Sequence, residues 1–564
     1  MASHKNLAFP LLLLPGLAVA QVRPEGAEEL LRQQQRERAR QESQAPDADV
    51  RLDRPNVGGE TARLPAHETP CFPIHRLHLT GEAADRFQWS LTAADSEGDS
   101  PIGRCLGNEG IALVMKRVQN AIVAGGHVTT RVLAPPQDLK SGELTLTVIP
   151  GRIRAIRTAP GNSERLTIAT TFPMVAGDLL NLRDVEQALE NLKRVPTAEA
   201  DIRITPSEAA DAQPGDSDLI VTWKQTRPFR LTLGLDDAGS KATGRYQGNL
   251  TVSADNLLTL SDLFYLTQSE SLGDRADKGT RARTVHYSLP FGYWQLSLAG
   301  SNYTYHQTVA GASQSYIYRG ASENLDLRLS RLVWRDAAGK TTVGARIWQR
   351  ASHNFIDDIE VLTQERHMAG GEVNLGHRHF LGASTVDANL AYRWGTGALG
   401  SRPAPEEPFG EGSSRPRLWT ADAQLNHPFQ WLGQSLRYNL VWRAQWNDTP
   451  LLPQDRFAIA GRYTVRGFDG ERLLSADRGW LIRNDLGITL GGSGQEAYLG
   501  LDHGRVGGQS AELLVGRELT GAVFGLRGQL VGVQYEAFVG RPIAQPAHFR
   551  TARTTAGFTL TWSI

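Results

Sequence analysis

The sequence predicts a mainly β protein, with a transmembrane barrel of about sixteen strands after two small α/β modules and an N-terminal helix. Apolar and polar residues alternate with period two from Pro228 to the C-terminus, in segments of about ten residues between turn clusters. The 57 Gly and 28 Pro, against 4 Met and 2 Cys, suit strands and turns better than long helices. With 40% hydrophobic residues the chain is too polar for a bundle of membrane helices, whereas a barrel hides its lipid-facing residues in the alternation. Lys and Arg total 60 and so do Asp and Glu, so the basic excess of a general nucleic-acid binder is missing.

The 564-residue chain opens with His4 and Lys5, an apolar run over 7–17 and an Ala18-Val19-Ala20 cleavage pattern. Residues 1–20 therefore read as a secretory signal peptide, and the mature chain as exported. No later stretch approaches the ~18 apolar residues of a spanning helix, so insertion has to use strands. Residues 25–43 have helical composition, but only Leu30 and Leu31 are strongly apolar. Such a helix has no face for an ordinary core and belongs either in solvent or in a wet cavity. Residues 45–70 carry Pro46, Pro55, Gly58, Gly59, Pro65 and Pro70 and read as a linker.

The first module spans 71–154. Residues 74–79 alternate as a strand, Ile111, Val114, Val118 and Ile122 recur at helical spacing, and Gly125-Gly126 ends that helix. Strands are expected at 128–133 and 144–148. The second module, 155–226, repeats the plan. Asn181 caps a helix that buries Leu182, Val185, Leu189 and Leu192 and stops before Pro196, and strands follow at 200–204 and 219–223. Cys71 and Cys105 fall in the first module. In an exported chain this lone pair is expected to form a disulfide, which stabilises the module by ~3–4 kcal/mol through loop closure.

The barrel spans 227–564. Leu231, Leu233 and Leu235 alternate with polar residues, as do Leu325, Leu327 and Leu329. In the last strand Phe558, Leu560, Trp562 and Ile564 oppose Thr559, Thr561 and Ser563. A soluble sandwich also alternates, but its strands run to about five or six residues. Here the segments are longer and the opposite faces carry Arg and Asp, as a wet lumen requires.

Most motif-like strings fail on spacing. Gly339-Lys340-Thr341 lacks the first glycine of a phosphate loop, because Trp334 stands there. Gly492-Ser493-Gly494 lacks the spacing of a hydrolase elbow, and His377 with His379 makes an incomplete metal site. No catalytic constellation emerges, so the chain is expected to be no enzyme and to need neither cofactor nor ATP.

One cluster is informative. Tyr463-Thr464-Val465-Arg466-Gly467-Phe468 lies on a long connection between strands, and Gly500-Leu501-Asp502-His503-Gly504 lies on a nearby strand. Alternation aims Leu499 and Leu501 at lipid and Gly500, Asp502 and Gly504 into the lumen. Arg466 either folds back to form a bidentate pair with Asp502 or, like Asp502, is an ordinary solvated lumen charge. The residues alone leave both readings open.

These residues resemble a known family, the two-partner secretion transporters (TpsB) of Gram-negative bacteria, within the BamA-like superfamily. Val465-Arg466-Gly467-Phe468 matches the family's V-R-G-F/Y loop motif, and Gly500, Asp502 and Gly504 match its F/G-x-D-x-G wall motif. The resemblance implies a plug helix (21–44), a linker (45–70), two periplasmic POTRA domains and a sixteen-stranded barrel in the outer membrane. It implies an Arg466–Asp502 pair, whose loss would be softened by lumenal water, and a terminal strand (Phe558, Leu560, Trp562, Ile564) read by the barrel-assembly machinery. The implied partners are a secreted TpsA-type exoprotein (haemolysin, adhesin or contact-dependent toxin), outer-membrane lipid and that machinery, with no nucleic acid and a monomeric barrel. The implied function is ATP-independent export of the unfolded partner; the alternative is an assembly factor that inserts other barrels.

Overall fold

The structure, a computed structural model, describes residues 25–44, 49–52, 62–95, 98–162, 165–273 and 276–564. The expected signal peptide, and residues 45–48 and 53–61 of the expected linker, lie outside the described residues. Helix α1 (Glu25–Gln44) is followed by two α/β modules and then by the barrel.

In the first module, strand Arg76–Gly81 pairs in parallel with Glu143–Ile149, which pairs antiparallel with Arg131–Leu133. Helix α2 (Asn108–Ala124) covers this sheet and buries Val114, Val118 and Ile122, as the spacing predicts. Its exposed N-terminal donors find a partner outside the module's own pattern: the Glu68 carboxylate accepts from the N–H groups of Gly107, Glu109 and Gly110. That carboxylate also sits at the positive end of the helix dipole. The expected Cys71–Cys105 disulfide is present and closes a separation of 34 residues.

The second module has the same plan, with strand Arg152–Thr158 parallel to Asp216–Gln225 and the latter antiparallel to Ala198–Pro206. Its first strand starts at Arg152, so the divide expected between 154 and 155 falls inside a strand. The turn at Gly151 is the actual joint, because Pro150 cannot extend the preceding ladder. Helix α3 (Leu182–Lys193) is capped by the Asn181 side chain, which accepts from the Arg183 N–H at 2.9 Å. The two modules are joined by Leu182 N–H to Gly126 O and by His127 Nδ1 near Leu180 O at 3.1 Å.

Among the described residues sixteen antiparallel strands close into a barrel. They are β1 (Phe229–Asp236), β2 (Gln247–Asp255), β3 (Leu263–Ser271), β4 (Lys278–Phe291), β5 (Trp294–Ala310), β6 (Ser315–Arg335), β7 (Gly339–Ile356) and β8 (Arg366–Leu381). The second half comprises β9 (Ser384–Thr396), β10 (Arg417–Trp431), β11 (Gln434–Asn447), β12 (Arg478–Thr489), β13 (Glu496–Gly507), β14 (Glu518–Leu530), β15 (Val533–Ala544) and β16 (Thr555–Ser563). Closure runs through β16 and β1 in the register Thr559↔Asp236 to Ser563↔Thr232, and Ile564 extends it by exchanging backbone hydrogen bonds with Leu231. Leu560, Trp562 and Ile564 are exposed on the outer wall, the alternation expected of the terminal strand. No helix among the described residues is long and apolar enough to cross a membrane.

Helix α3 seats the second module on the barrel's near-end turns. Arg194 donates to Ser261 O and to Ser288 O and Oγ, and Asn191 donates to Gly292 O. Burial in this joint pulls the Arg194 guanidinium down to about 10. Gly339-Lys340-Thr341 lies at the β6–β7 hairpin, as its rejection as a phosphate loop required, and its lysine takes a structural role. Residues 49–52 run between α3 and this hairpin. Val50 and Leu52 donate their N–H groups to Glu190 and Glu186, Arg335 donates to Val50 O, and Asp49 pairs with Lys340 and Arg378.

In the first module, Asp99 accepts from the Leu64 N–H (2.7 Å) and Arg117 Nη2 (2.6 Å), with Arg104 Nη2 at 3.0 Å. The Leu64 N–H above all, then the two guanidinium groups, hold its carboxyl below the ordinary range. Its charged form therefore stabilises the folded module above the unfolded carboxyl value of ~3.9, and that contribution is lost as pH falls through the lower folded value. Asp99→Asn is expected to destabilise the module at neutral pH and to flatten its acid limb. Hydrogen exchange of the 108–124 segment in urea, at pH values from about 3 to 7, measures both.

Candidate functional site in the barrel lumen

The lumen is filled from two directions, by helix α1 and by the connection between β11 and β12. That connection (448–477) folds back inside the barrel and forms a short hairpin, Phe457–Ile459 with Leu474–Ala476. Ile459, Val465, Phe468 and Leu474 pack against Leu481, Val506 and Leu519 of the wall, with Leu31 of α1 joining the same cluster. The loop is thus held by an apolar contact inside a lumen that is otherwise lined with charges.

At its tip Arg466 is 3% exposed and Asp502 is fully buried. Arg466 Nε and Nη2 donate to the two Asp502 oxygens at 2.7 and 2.8 Å, and its backbone N–H donates to Oδ2 at 3.0 Å. Nη2 also donates to Asp485 Oδ1 at 2.5 Å. The bidentate arrangement is one of the two readings the residues left open, and the solvated alternative fails because both groups are buried. The expectation that water softens loss of a partner is likewise corrected: both partners of the pair are dry. Asp485 was missed from sequence. It sits across the ladder from Gly500, a register that period-two alternation does not reveal.

Small residues make the approach possible. Gly467 has φ +90°, and a Cβ there would lie 2.5 Å from Arg541 O. Gly521, paired with Asp502 across β13 and β14, lets the Arg466 carbonyl come so close that a Cβ would lie 1.8 Å from it. Gly500 and Gly504 serve the same end beside the Arg466 guanidinium and the Val465 side chain. Leu499 and Leu501 are exposed on the outer wall, so the predicted phase of β13 holds.

Helix α1 bridges loop and wall. Arg32 donates to Gly470 O and Glu471 O of the loop, at 3.0 and 3.1 Å. Leu30 packs against Ala282, Tyr303 and Tyr305, and the Tyr303 hydroxyl donates to the buried Glu29 carboxylate. Arg38 pairs with Asp422 at 2.7 Å. The helix therefore occupies the wet cavity, one of the two places its composition allowed, and divides its only two leucines between wall and loop. Beside it a cavity of about 600 Å³ remains, lined by Arg38, Arg346, Glu372, Arg378 and Asp387 among others.

Residues 215–528 match the family profile of the haemolysin secretion/activation protein ShlB/FhaC/HecB. The chain belongs to this family. Residues 72–151 match its ShlB-type POTRA domain and 152–206 a second POTRA domain, so the two modules are POTRA domains. Outer membrane transporter CdiB-2 of Burkholderia pseudomallei is 36% identical over 94% of this chain and 93% of its own. The hemolysin transporter protein ShlB of Serratia marcescens is 26% identical over 77% of this chain and 76% of its own. Among solved structures, CdiB from Acinetobacter baumannii matches with a TM-score of 0.85 at 30% identity, covering 97% of this chain and 100% of that one. The protein is an outer-membrane transporter, with its POTRA domains in the periplasm. The strand ends away from those domains therefore face outside the cell.

Removing Arg466 would leave the fully buried Asp502 carboxylate without its bidentate partner, beside the part-buried Asp485, and breaking a buried pair in this way costs about 3–5 kcal/mol. Arg466→Ala is expected to free the 448–477 loop while the strand ladders stay closed. Limited proteolysis of the folded barrel should then show cleavage inside that loop, with Arg466→Lys intermediate because it loses the bidentate fork.

Proposed function

We propose that this transporter exports one large partner protein as an unfolded chain, using α1 as a plug and the Arg466 loop as its latch. The carrying observation is that the helix and the loop fill the lumen together and touch each other through Arg32 and Leu31. Opening a path for a client then requires both to move. The loop's hold is electrostatic at Arg466 and apolar around Val465 and Phe468, whereas the helix is held mainly by polar contacts that water can replace.

The POTRA domains receive the client. Their strands Arg131–Leu133 and Ala198–Pro206 lie at sheet edges, where an extended segment adds backbone hydrogen bonds with little demand on sequence. The family profile and the named haemolysin transporters among the relatives favour export over barrel assembly. The client's folding outside supplies direction, so neither ATP nor a catalytic residue is needed. The working boundaries are a signal peptide at 1–20, a plug at 21–44 and a linker at 45–70. The chain works as a monomer in the outer-membrane lipid, and β16 with Ile564 serves as its assembly signal.

The test pairs this chain with the large exported protein encoded beside it in a laboratory Gram-negative host. Secretion that depends on this chain is the expected result. Client retained in the periplasm, with the barrel correctly inserted, defeats the pairing. Deleting residues 25–44 is expected to raise conductance in planar bilayers, and an unchanged open probability would refute the plug. Arg466→Ala is expected to lower secretion at normal expression.

A further inference from the structure

The outer end of the barrel wall carries a cluster of ligands that the transport reading does not use. Strands β7 and β8 pair in the register Ser352↔Arg366, which places Ala351 opposite His367 and brings His353 beside Glu365. Ser352, Asn354, Arg366 and Met368 are buried, and Ser352 and Met368 lie against Gln454 of the lumenal loop. Alternation therefore sends His353 and His367 to the outer wall, near the mouth that faces outside the cell. A ring nitrogen from each histidine and one carboxylate oxygen of Glu365 all lie within 4.8 Å of one another. Among the described residues this is the one group of three or more such side chains that converges in this way.

The details fit a metal ion rather than a chance meeting of histidines. The rings stand at 77° with centroids 5.3 Å apart, so they do not stack but converge edge to face. His367 Nε2 lies 3.2 Å from Glu365 Oε1, close to the separation of two ligands on one tetrahedral ion. His353 Nδ1 contacts Glu360 Oε1 at 2.7 Å, the carboxylate–imidazole contact that orients a metal-binding histidine or adds a further ligand. Glu360 is supplied by the two-residue strand Ile359–Glu360, which folds back on β7. All four side chains are part-exposed, so an ion has access from solvent and only side-chain rotation is needed to close the shell.

We propose that His353, His367 and Glu365, with Glu360 in support, bind a divalent transition metal of the zinc class at the extracellular rim. Two imidazoles and a carboxylate select such an ion over calcium or magnesium, which take oxygen donors. One cation already competes for the site. Arg402 Nη1 donates to Glu365 Oε1 at 2.6 Å, and the Arg402 N–H donates to His367 O at 3.0 Å. The Arg402 side chain is 65% exposed and can swing out into water. Metal binding therefore exchanges a mobile guanidinium on the β9–β10 loop for a fixed ion on the wall, and it ties the β7 hairpin to the start of β8.

The test is a calorimetric titration of zinc chloride into the untagged full chain, purified in detergent and stripped with chelator. One saturable zinc per chain at low micromolar concentration is expected, with binding lost in the double variant His353→Ala/His367→Ala. Glu360→Gln should weaken binding about tenfold, as loss of an orienting carboxylate does. Arg402→Ala should tighten it. Should the double variant fail to form its barrel, Glu365→Gln carries the same comparison. No saturable binding by the parent chain overturns the proposal. So does undiminished binding by the double variant, or binding that disappears in His377→Ala/His379→Ala, the histidine pair at the opposite, POTRA-side end of the same strand.

Discussion

A single guanidinium, held away from water between Asp502 and Asp485, is the constraint on which the arrangement of the lumen rests. A loop of some thirty residues has no reason to enter a polar channel unless something inside compensates its lost hydration. The two carboxylates do that for the charge, and Ile459, Val465 and Phe468 do it for the apolar surface. Once the loop is fixed, helix α1 acquires a surface to lie on, because Arg32 and Leu31 need the loop's carbonyls and its apolar cluster. The order of dependence is therefore wall, then loop, then helix.

The sequence was most legible where one period governs a long stretch. The outward stripe of β13, the α2 and α3 helices, the Asn181 cap and the terminal strand all follow from local spacing, and the structure has them in the expected places. The residues that escaped are those joined by register or by an irregular segment. Asp485 meets Arg466 only because β12 and β13 pair in one particular alignment. Glu68, which caps α2, and residues 49–52, which lie along α3, sit in segments without periodicity. The helix itself was readable as a misfit, but Leu30 and Leu31 point about 100° apart, so their separate partners follow only from the packed lumen.

The joint between the second POTRA domain and the barrel is rich in polar contacts. Arg194, Asn191 and Arg335 each satisfy backbone or carboxylate oxygens across it, and burial there costs Arg194 part of its basicity. Such a joint fixes orientation by geometry rather than by apolar area. Residues 49–52 form part of this joint rather than crossing it loosely, so the segment that leads to helix α1 is anchored to the second POTRA domain.

On the proposed reading of α1 as a plug, that anchor sets how far the helix can travel. Four residues lie between Gln44 and Asp49, and the five Cα steps they make reach only ~18 Å even fully stretched. A helix of 20 residues is itself about 30 Å long. While Asp49 stays paired with Lys340 and Arg378, a helix that left the lumen on this reading would swing like a pendulum below the barrel mouth and could not diffuse away. Its concentration at the empty lumen then stays at the order of millimolar set by a short tether, however dilute the protein is in the membrane. On the same reading, resealing after each client would be an intramolecular event, timed by the tether and independent of how many transporters the cell makes.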